Sequence, residues 1–110
     1  MTKKMKNLLF VCAGNTQRSP TFEIWFKKNR PQYNVKSAGT LYYSCQMLTK
    51  ELLEWADIVY VMDLDQEMFI ARKFPEFLGK VTVVGCNDDY QRESSLLFKL
   101  IEYWTKKNNL

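Results

Sequence analysis

One stretch, Leu8-Leu9-Phe10-Val11-Cys12-Ala13-Gly14-Asn15-Thr16-Gln17-Arg18-Ser19, carries the strongest structural signal in this chain of 110 residues. It opens with a short apolar run, residues 8–11, whose length and flanking residues indicate a buried strand. Residues 19–29 then show a helical pattern, since Ser19 can cap a helix and Pro20 suits its first turn. The residues between them therefore form a loop that leaves a strand and enters the N-terminus of a helix.

Strand-like and helix-like segments alternate along the rest of the chain. The further predicted strands are residues 33–38, 58–62 and 81–84, and the further predicted helices are residues 49–56, 65–73 and 94–107. Residues 58–62 are apolar at every position, which is typical of a strand covered on both faces. The alternation predicts an α/β fold with a parallel sheet between helical layers, and the length predicts one domain over residues 1–110. Ligands of such sheets bind at the carboxyl ends of the strands.

Residue composition excludes several classes of site. The chain has no histidine, so a Ser-His-Asp triad, a Cys-His pair and a histidine-ligated metal site are impossible. Its three cysteines, Cys12, Cys45 and Cys86, are odd in number and widely spaced, which argues against a disulfide framework and a zinc ribbon. We therefore expect neither a metal nor another cofactor.

Charge and hydropathy bear on the partners of the chain. The formal net charge of +4 suits an anionic ligand, but the lysines cluster towards the termini and no nucleic-acid-binding motif is present. No apolar run approaches the roughly 20 residues of a membrane span, and the apolar stretch after the basic start is too short for a signal peptide. We expect a cytoplasmic protein with neither a nucleic-acid nor a membrane partner.

The loop after the first predicted strand has the features of an anion-binding site. Gly14 and Asn15 tolerate the positive φ angles that turn successive backbone N–H groups inward. The following helix directs the positive end of its dipole at the same point, and Arg18 adds a planar guanidinium that can hold two oxygens of a phosphate-like anion. The residues expected to bind the anion are Ala13, Gly14, Asn15, Thr16, Gln17, Arg18 and Ser19.

Cys12 stands at the end of the strand, beside this expected anion site. Inward N–H donors, a helix N-terminus and a guanidinium each favour the thiolate, and Ser19 can donate a further hydrogen bond to the sulfur. A loop that binds a tetrahedral dianion and presents a nucleophile to its central atom suits phosphoryl transfer through a phosphocysteine. The alternative is that Cys12 is a small buried apolar residue, as a cysteine at a strand end usually is.

Residues 11–20, Val-Cys-Ala-Gly-Asn-Thr-Gln-Arg-Ser-Pro, resemble the N-terminal signature of the low-molecular-weight protein tyrosine phosphatases. Ser37-Ala38-Gly39-Thr40 and Val61-Met62-Asp63 are similar to the ends of that family's second and third strands, in the same order and spacing. Residues 51–57, Glu-Leu-Leu-Glu-Trp-Ala-Asp, further resemble a short bacterial subgroup of predicted phosphatases. The resemblance implies a three-layer αβα sandwich with a four-stranded parallel sheet in the order 2-1-3-4.

The resemblance also implies a proton donor. The family carries Asp-Pro-Tyr after its fourth strand, where this chain reads Asn87-Asp88-Asp89-Tyr90. Aligned by Tyr90, Asp88 takes the place of the catalytic acid, which protonates the leaving group and then activates water. Asp89 is the alternative donor, and a simple turn before the last helix is a further interpretation.

Several other positions take their interpretation from the same resemblance. Tyr43 has the offset of an aromatic wall that stacks on the substrate ring, and Tyr90 is a candidate for the opposite wall. The chain departs from the family in lacking most of a long segment after Thr40, and in carrying Gln17 where many members have a second, redox-active cysteine. The residues interpreted as structural are Asp63 and Asp65 in a turn, Cys45 and Cys86 in packing, with a redox role left open for Cys86, and Trp25, Trp55 and Trp104 in the core.

The sequence thus predicts a metal-free phosphatase that acts on phosphotyrosine or another aryl phosphate monoester, with inorganic phosphate as product. Its partner would be a phosphotyrosine-containing protein or a small aryl phosphate, while phosphorylated small molecules and arginine phosphate stay open as physiological substrates. One alternative is a non-catalytic regulatory module that binds phosphate. Another is a thiol-coupled arsenate reductase, which needs two neighbouring cysteines where Cys45 and Cys86 lie far apart in the sequence.

Overall fold

The computed structural model describes residues 5–87 and 90–110. The elements are β1 (Lys6–Cys12), α1 (Arg18–Asn29), β2 (Tyr33–Gly39), α2 (Lys50–Trp55), β3 (Ile58–Val61), α3 (Leu64–Lys73), a 3-10 helix (Pro75–Lys80), β4 (Val81–Val83) and α4 (Ser95–Lys107). Every predicted strand and helix is present. The 3-10 helix was not predicted, and it begins at Pro75, where the residue before a proline is disfavoured in the α conformation. No helix in the described ranges combines the length and the apolar character that crossing a bilayer requires.

The four strands form one parallel sheet in the order β2-β1-β3-β4, which confirms the predicted topology. The central strand β1 places Leu8 opposite Val35 on one side and opposite Ile58 on the other. Its apolar run, residues 8–11, has no exposed surface. The loop that follows β1 therefore starts from the buried middle of the sheet, at its carboxyl edge.

Helices cover both faces of the sheet, because side chains alternate between the faces along each strand. On one face Phe10 packs against Phe22 and Phe26 of α1, with ring centroids 5.1 and 5.0 Å away, and α4 adds Leu97 and Ile101. On the other face Leu9 and Val11 pack with Leu53 of α2 and Ile70 of α3. The alternation carries Cys12 to the α1/α4 side. The predicted αβα sandwich is thereby confirmed.

The three tryptophans lie at the margins of these two cores and are only half-buried, so the expectation that they are core residues is right only in part. The Trp25 ring faces the Arg30 guanidinium at 5.2 Å, and the Trp55 ring faces the Lys36 ammonium at 4.5 Å. A large ring of this kind can cover apolar atoms on one side and a solvated cation on the other.

Candidate active site

The loop between β1 and α1, residues 13–17, lies at the carboxyl end of the central strand, where parallel sheets bind their ligands. Asn15 has φ +54°, the left-handed conformation predicted for it, whereas Gly14 has no positive φ and that part of the prediction is wrong. One left-handed residue is enough for this turn. Within the described residues, the backbone N–H groups of Gly14, Thr16 and Gln17 meet no acceptor, and such a group of free N–H donors suits an anion.

The sulfur of Cys12 is held at the base of this loop. The Asn15 backbone N–H donates to Cys12 Sγ at 3.1 Å, and the Ser19 hydroxyl lies 3.0 Å from the same sulfur. Cys12 itself is only 3% exposed. Two hydrogen-bonding groups are thus directed at this one sulfur.

Ser19 does not cap the helix, contrary to the sequence prediction. The helix α1 begins at Arg18, its N-cap residue is Gln17, and no side chain caps it. Ser19 lies within the first turn, fully buried, and its hydroxyl is used by Cys12 Sγ and by the Ala38 carbonyl at 3.3 Å. The Ser19 hydroxyl therefore lies at the Cys12 sulfur, as the sequence also suggested, and not at the helix end.

Asn15 joins the loop to the neighbouring strand through a buried polar network. Its Nδ2 donates to Ser19 Oγ and to Ser37 Oγ, both at 3.0 Å, while its Oδ1 accepts the Gln46 backbone N–H at 3.1 Å. Ser37 in turn donates to Glu23 Oε1 at 2.5 Å. These bonds use both hydrogens of the Asn15 side-chain amide and one lone pair of its oxygen, so contacts with β2 and the loop after it hold the left-handed turn in place.

Arg18 is buried, with 5% of its surface exposed, and its guanidinium reaches across the carboxyl edge of the sheet. Nη1 donates to Asp63 Oδ2 and to the Cys86 carbonyl oxygen, each at 2.8 Å. Asp63 also forms a capping box with Gln66 at the start of α3, which agrees with its interpretation as a structural residue. The contact with Arg18 was missed by sequence reasoning, although an acid placed directly after a buried strand was a usable signal for it.

The other two cysteines differ from each other. Cys86 is buried, and this burial raises the pKa of its thiol to about 11. The Arg18 charge opposes the rise, whereas Cys12 and Asp63 add to it. Cys45 is exposed, so its interpretation as a packing residue is wrong, because it lies on the surface loop that follows β2. All three cysteines are free thiols, and within residues 5–87 and 90–110 no cluster of acidic or cysteine side chains could hold a metal ion.

A cavity of about 180 Å³ opens above the loop. Its lining residues are Cys12, Ala13, Gly14, Thr16, Gln17, Arg18, Leu41 and Tyr43. Tyr43, which is 64% exposed, thus stands beside the sulfur as an aromatic wall would, and Tyr42 packs edge-on against it. Tyr90 packs half-buried against the α1/α4 core instead of lining this cavity. The predicted proton donors Asp88 and Asp89 lie outside the described residues.

Comparisons with known proteins agree with this geometry. No protein-family model matches the chain. The chain is 32% identical to the low molecular weight protein-tyrosine-phosphatase Ptp of Acinetobacter johnsonii, over 94% of this chain and 98% of that protein. It is 32% identical to a protein-arginine-phosphatase of Bacillus subtilis, over 68% of this chain and 67% of that protein.

Solved structures give the same fold. Wzb of Vibrio vulnificus, crystallised in complex with benzylphosphonate, superposes with a TM-score of 0.80 over 97% of this chain and 100% of its own, at 22% identity. The identity to that structure is low, so it bears on the fold alone, whereas the match to the Acinetobacter protein extends over nearly both chains. The chain belongs to the low-molecular-weight protein-tyrosine-phosphatase family and is a phosphatase.

Proposed function

We propose that this protein hydrolyses aryl phosphate monoesters, phosphotyrosine among them, through a phosphocysteine intermediate on Cys12. The observation that carries the proposal is the setting of one sulfur. Cys12 Sγ lies 3.1 Å from the Asn15 backbone nitrogen and 3.0 Å from Ser19 Oγ, at the base of a cavity that Arg18 also lines. That arrangement directs a nucleophile and an anion-binding group at the same small space.

In the first step Cys12 Sγ attacks phosphorus, the S–P bond forms and the bond from phosphorus to the leaving oxygen breaks. Asp88 transfers its carboxyl proton to that oxygen, so the alcohol departs neutral. The equatorial oxygens take hydrogen bonds from the free N–H groups of the loop and from the Arg18 guanidinium, which are strongest when charge builds up on those oxygens.

In the second step a water molecule attacks the phosphocysteine. Asp88, now a carboxylate, accepts a proton from the water as its oxygen bonds to phosphorus, and the S–P bond breaks. The sulfur leaves as a thiolate, which the Asn15 N–H and the Ser19 hydroxyl hydrogen-bond again. Inorganic phosphate is released, and neither step uses a metal ion.

The test is hydrolysis of p-nitrophenyl phosphate in the presence of EDTA. We expect turnover by the wild type, a loss of about a thousandfold or more in Cys12→Ser and Arg18→Ala, and a loss of about a hundredfold or more in Asp88→Asn. Cys45→Ser is the matched control, because that thiol is exposed and lies apart from the lining of the cavity. Rapid acid quench of a ³²P-labelled aryl phosphate reaction detects the phosphocysteine directly.

Three further measurements separate this function from the alternatives. A loss in Asp89→Asn with an active Asp88→Asn assigns the proton to Asp89. Binding of inorganic phosphate without any turnover overturns the catalytic proposal and leaves a regulatory anion-binding module. Reduction of arsenate by the wild type that is lost in Cys86→Ser shows that a second thiol takes part, and this result points to the reductase.

Arginine phosphate is the second candidate substrate, because one relative over 68% of the chain is named a protein-arginine-phosphatase. Cleavage of that substrate breaks a P–N bond instead of a P–O bond, and the departing guanidinium nitrogen takes the proton. Comparing kcat/KM for phosphoarginine and p-nitrophenyl phosphate in one preparation decides between the two substrate classes.

A further inference from the structure

A second cavity, of about 350 Å³, adjoins the one above the loop. The two share Ala13, Arg18 and Leu41 as lining residues, so they lie next to each other. The far wall of the second cavity comes from α3. A substrate that extends from the first cavity past the shared residues would therefore meet this wall.

The wall is one face of a helix. Asp65, Met68, Phe69 and Arg72 are spaced by three, four and seven residues, which places them on the same side of α3. Met68 on this wall is 54% exposed, and Leu41, which lines the same cavity but is not part of α3, is 37% exposed, so the cavity offers apolar surface to a ligand. Burying such surface favours binding.

A charge of each sign stands on the same helical face. Asp65 and Arg72 are both exposed, and neither forms an ion pair with any residue in the described part of the chain. Asp65 is near the start of α3, two residues after the Asp63 that holds Arg18, whereas Arg72 is in the last turn. The acid therefore lies towards the nucleophile and the base lies away from it.

The spacing of the two charges matches an extended peptide. Seven residues of α-helix rise by about 10 Å, and alternate side chains of an extended chain, which share one face, lie about 7 Å apart. An extended segment that runs from the phosphate cavity along α3 would thus turn its first side chain to Asp65 and its third to Arg72, a distance that long charged side chains can close, and would turn its second side chain away from α3.

We propose that this second cavity binds the polypeptide segment next to the phosphorylated side chain of a protein substrate. The segment carries a basic residue facing Asp65 and, two positions along, an acidic residue facing Arg72, and the aliphatic parts of these two side chains lie on Met68. The residue between them is apolar and is turned towards Leu41. The inference rests on the proposed function, and it deepens that function by making the substrate a phosphoprotein rather than a small phosphate ester. A small ester fills the first cavity and leaves the second unused.

The experiment compares short phosphotyrosine peptides in which Lys, Leu and Glu follow the phosphotyrosine in that order with peptides of the order Glu, Leu and Lys. The same two orders are also placed before the phosphotyrosine. The readout is kcat/KM for each peptide divided by kcat/KM for p-nitrophenyl phosphate. The segment binds on one side of the phosphotyrosine, so we expect a preference in only one of the two peptide pairs. In that pair the wild type should have a ratio about threefold or more higher for the peptide with Lys next to the phosphotyrosine.

Variants of α3 test whether this surface causes the preference. The double charge swap Asp65→Lys with Arg72→Glu should reverse the preferred order, and Met68→Lys should lower the peptide ratio by about fivefold. Leu64→Lys and Lys99→Glu are the matched controls, since Leu64 is exposed on α3 away from the cavity lining and Lys99 is exposed on α4. Both controls should keep the ratio of the wild type.

Failure of the proposed function and failure of this inference give different results. Absence of p-nitrophenyl phosphate hydrolysis in the wild type contradicts the proposed function. The docking proposal is then judged by fluorescence anisotropy of labelled peptides bound to Cys12→Ser, where the same order of preference and the same reversal are expected. Equal values for all peptides, or a preference that survives the charge swap and Met68→Lys, overturn the docking proposal.

Discussion

The buried guanidinium of Arg18 forms an ion pair with the partly exposed carboxylate of Asp63, in which Nη1 donates to Oδ2 at 2.8 Å. The other carboxylate oxygen of Asp63 accepts the Asp65 backbone N–H at 3.0 Å. One carboxylate therefore both caps the N-terminus of α3 and orients the guanidinium that faces the loop. A side chain that is locked before substrate arrives loses little conformational freedom on binding. The position of Arg18 is consequently set by α3 as much as by its own helix.

Asp63→Asn tests this coupling, because asparagine still caps a helix but removes the negative charge. Losing one charge-assisted hydrogen bond should lower kcat/KM for p-nitrophenyl phosphate by about tenfold or more, with a change of less than about 1 kcal/mol in the free energy of unfolding. Glu67→Gln, in the same helix, makes the same charge change away from Arg18 and should keep the activity. Equal activity in Asp63→Asn and Glu67→Gln would show that the guanidinium needs no partner.

The left-handed turn at Asn15 separates backbone strain from side-chain hydrogen bonding. Asn15→Ala and Asn15→Gly both remove the three hydrogen bonds of the side chain. Alanine in addition must adopt the left-handed conformation at φ +54°, which costs about 1–2 kcal/mol that glycine avoids. Urea unfolding should therefore rank Asn15→Ala below Asn15→Gly by about that amount. Equal stabilities would mean that the turn relaxes once the amide is gone.

Gly39, the last residue of β2, is a position where any side chain would meet the loop. A Cβ there would lie 2.6 Å from the Ala13 carbonyl oxygen and would also collide with Ser44 Oγ. Gly39→Ala should destabilise the protein by about 1–3 kcal/mol and lower phosphatase activity, because the Ala13 carbonyl belongs to the loop. Gly79→Ala is the control, since a Cβ at that site meets nothing within 4 Å. Thermal unfolding and p-nitrophenyl phosphate kinetics of the two variants decide the point.

The raised pKa of the Cys86 thiol predicts how the free energy of unfolding changes at alkaline pH. Burial raises the pKa of its thiol from 9.0 to about 11, so the folded chain favours the protonated form more than the unfolded chain does. This contribution is complete below pH 9 and is lost as the pH rises towards 11, because the unfolded thiol ionises first. The difference in unfolding free energy between the wild type and Cys86→Ala should therefore shrink from pH 9 to pH 11. A difference that stays constant across this range would contradict the raised pKa.

The sheet and its helical layers could be predicted from the sequence because their signals are local. The apolar run of residues 8–11 and the wholly apolar residues 58–62 mark strands buried on both faces, and these strands form as expected. The loop from Cys12 to Ser19 could also be interpreted from the sequence, because a thiol, a residue that tolerates the left-handed conformation and a guanidinium occur within one short segment. Residues close in sequence must be close in space, so their chemistry can be inferred without the fold.

Tertiary structure alone decided which distant groups complete that segment. Ser37 reaches Asn15 because β2 pairs with β1, and Ser37 in turn donates to Glu23 of α1. Asp63 reaches Arg18 because β3 ends at the same edge. Ser19 illustrates the difference: its type and position suggested both a helix cap and a hydrogen bond to the Cys12 sulfur, and the packing decides for the sulfur, seven residues earlier. Sequence determines which polar groups a chain possesses, whereas the packing of strands and helices determines which of those groups meet, because a hydrogen bond depends on distance and direction in space.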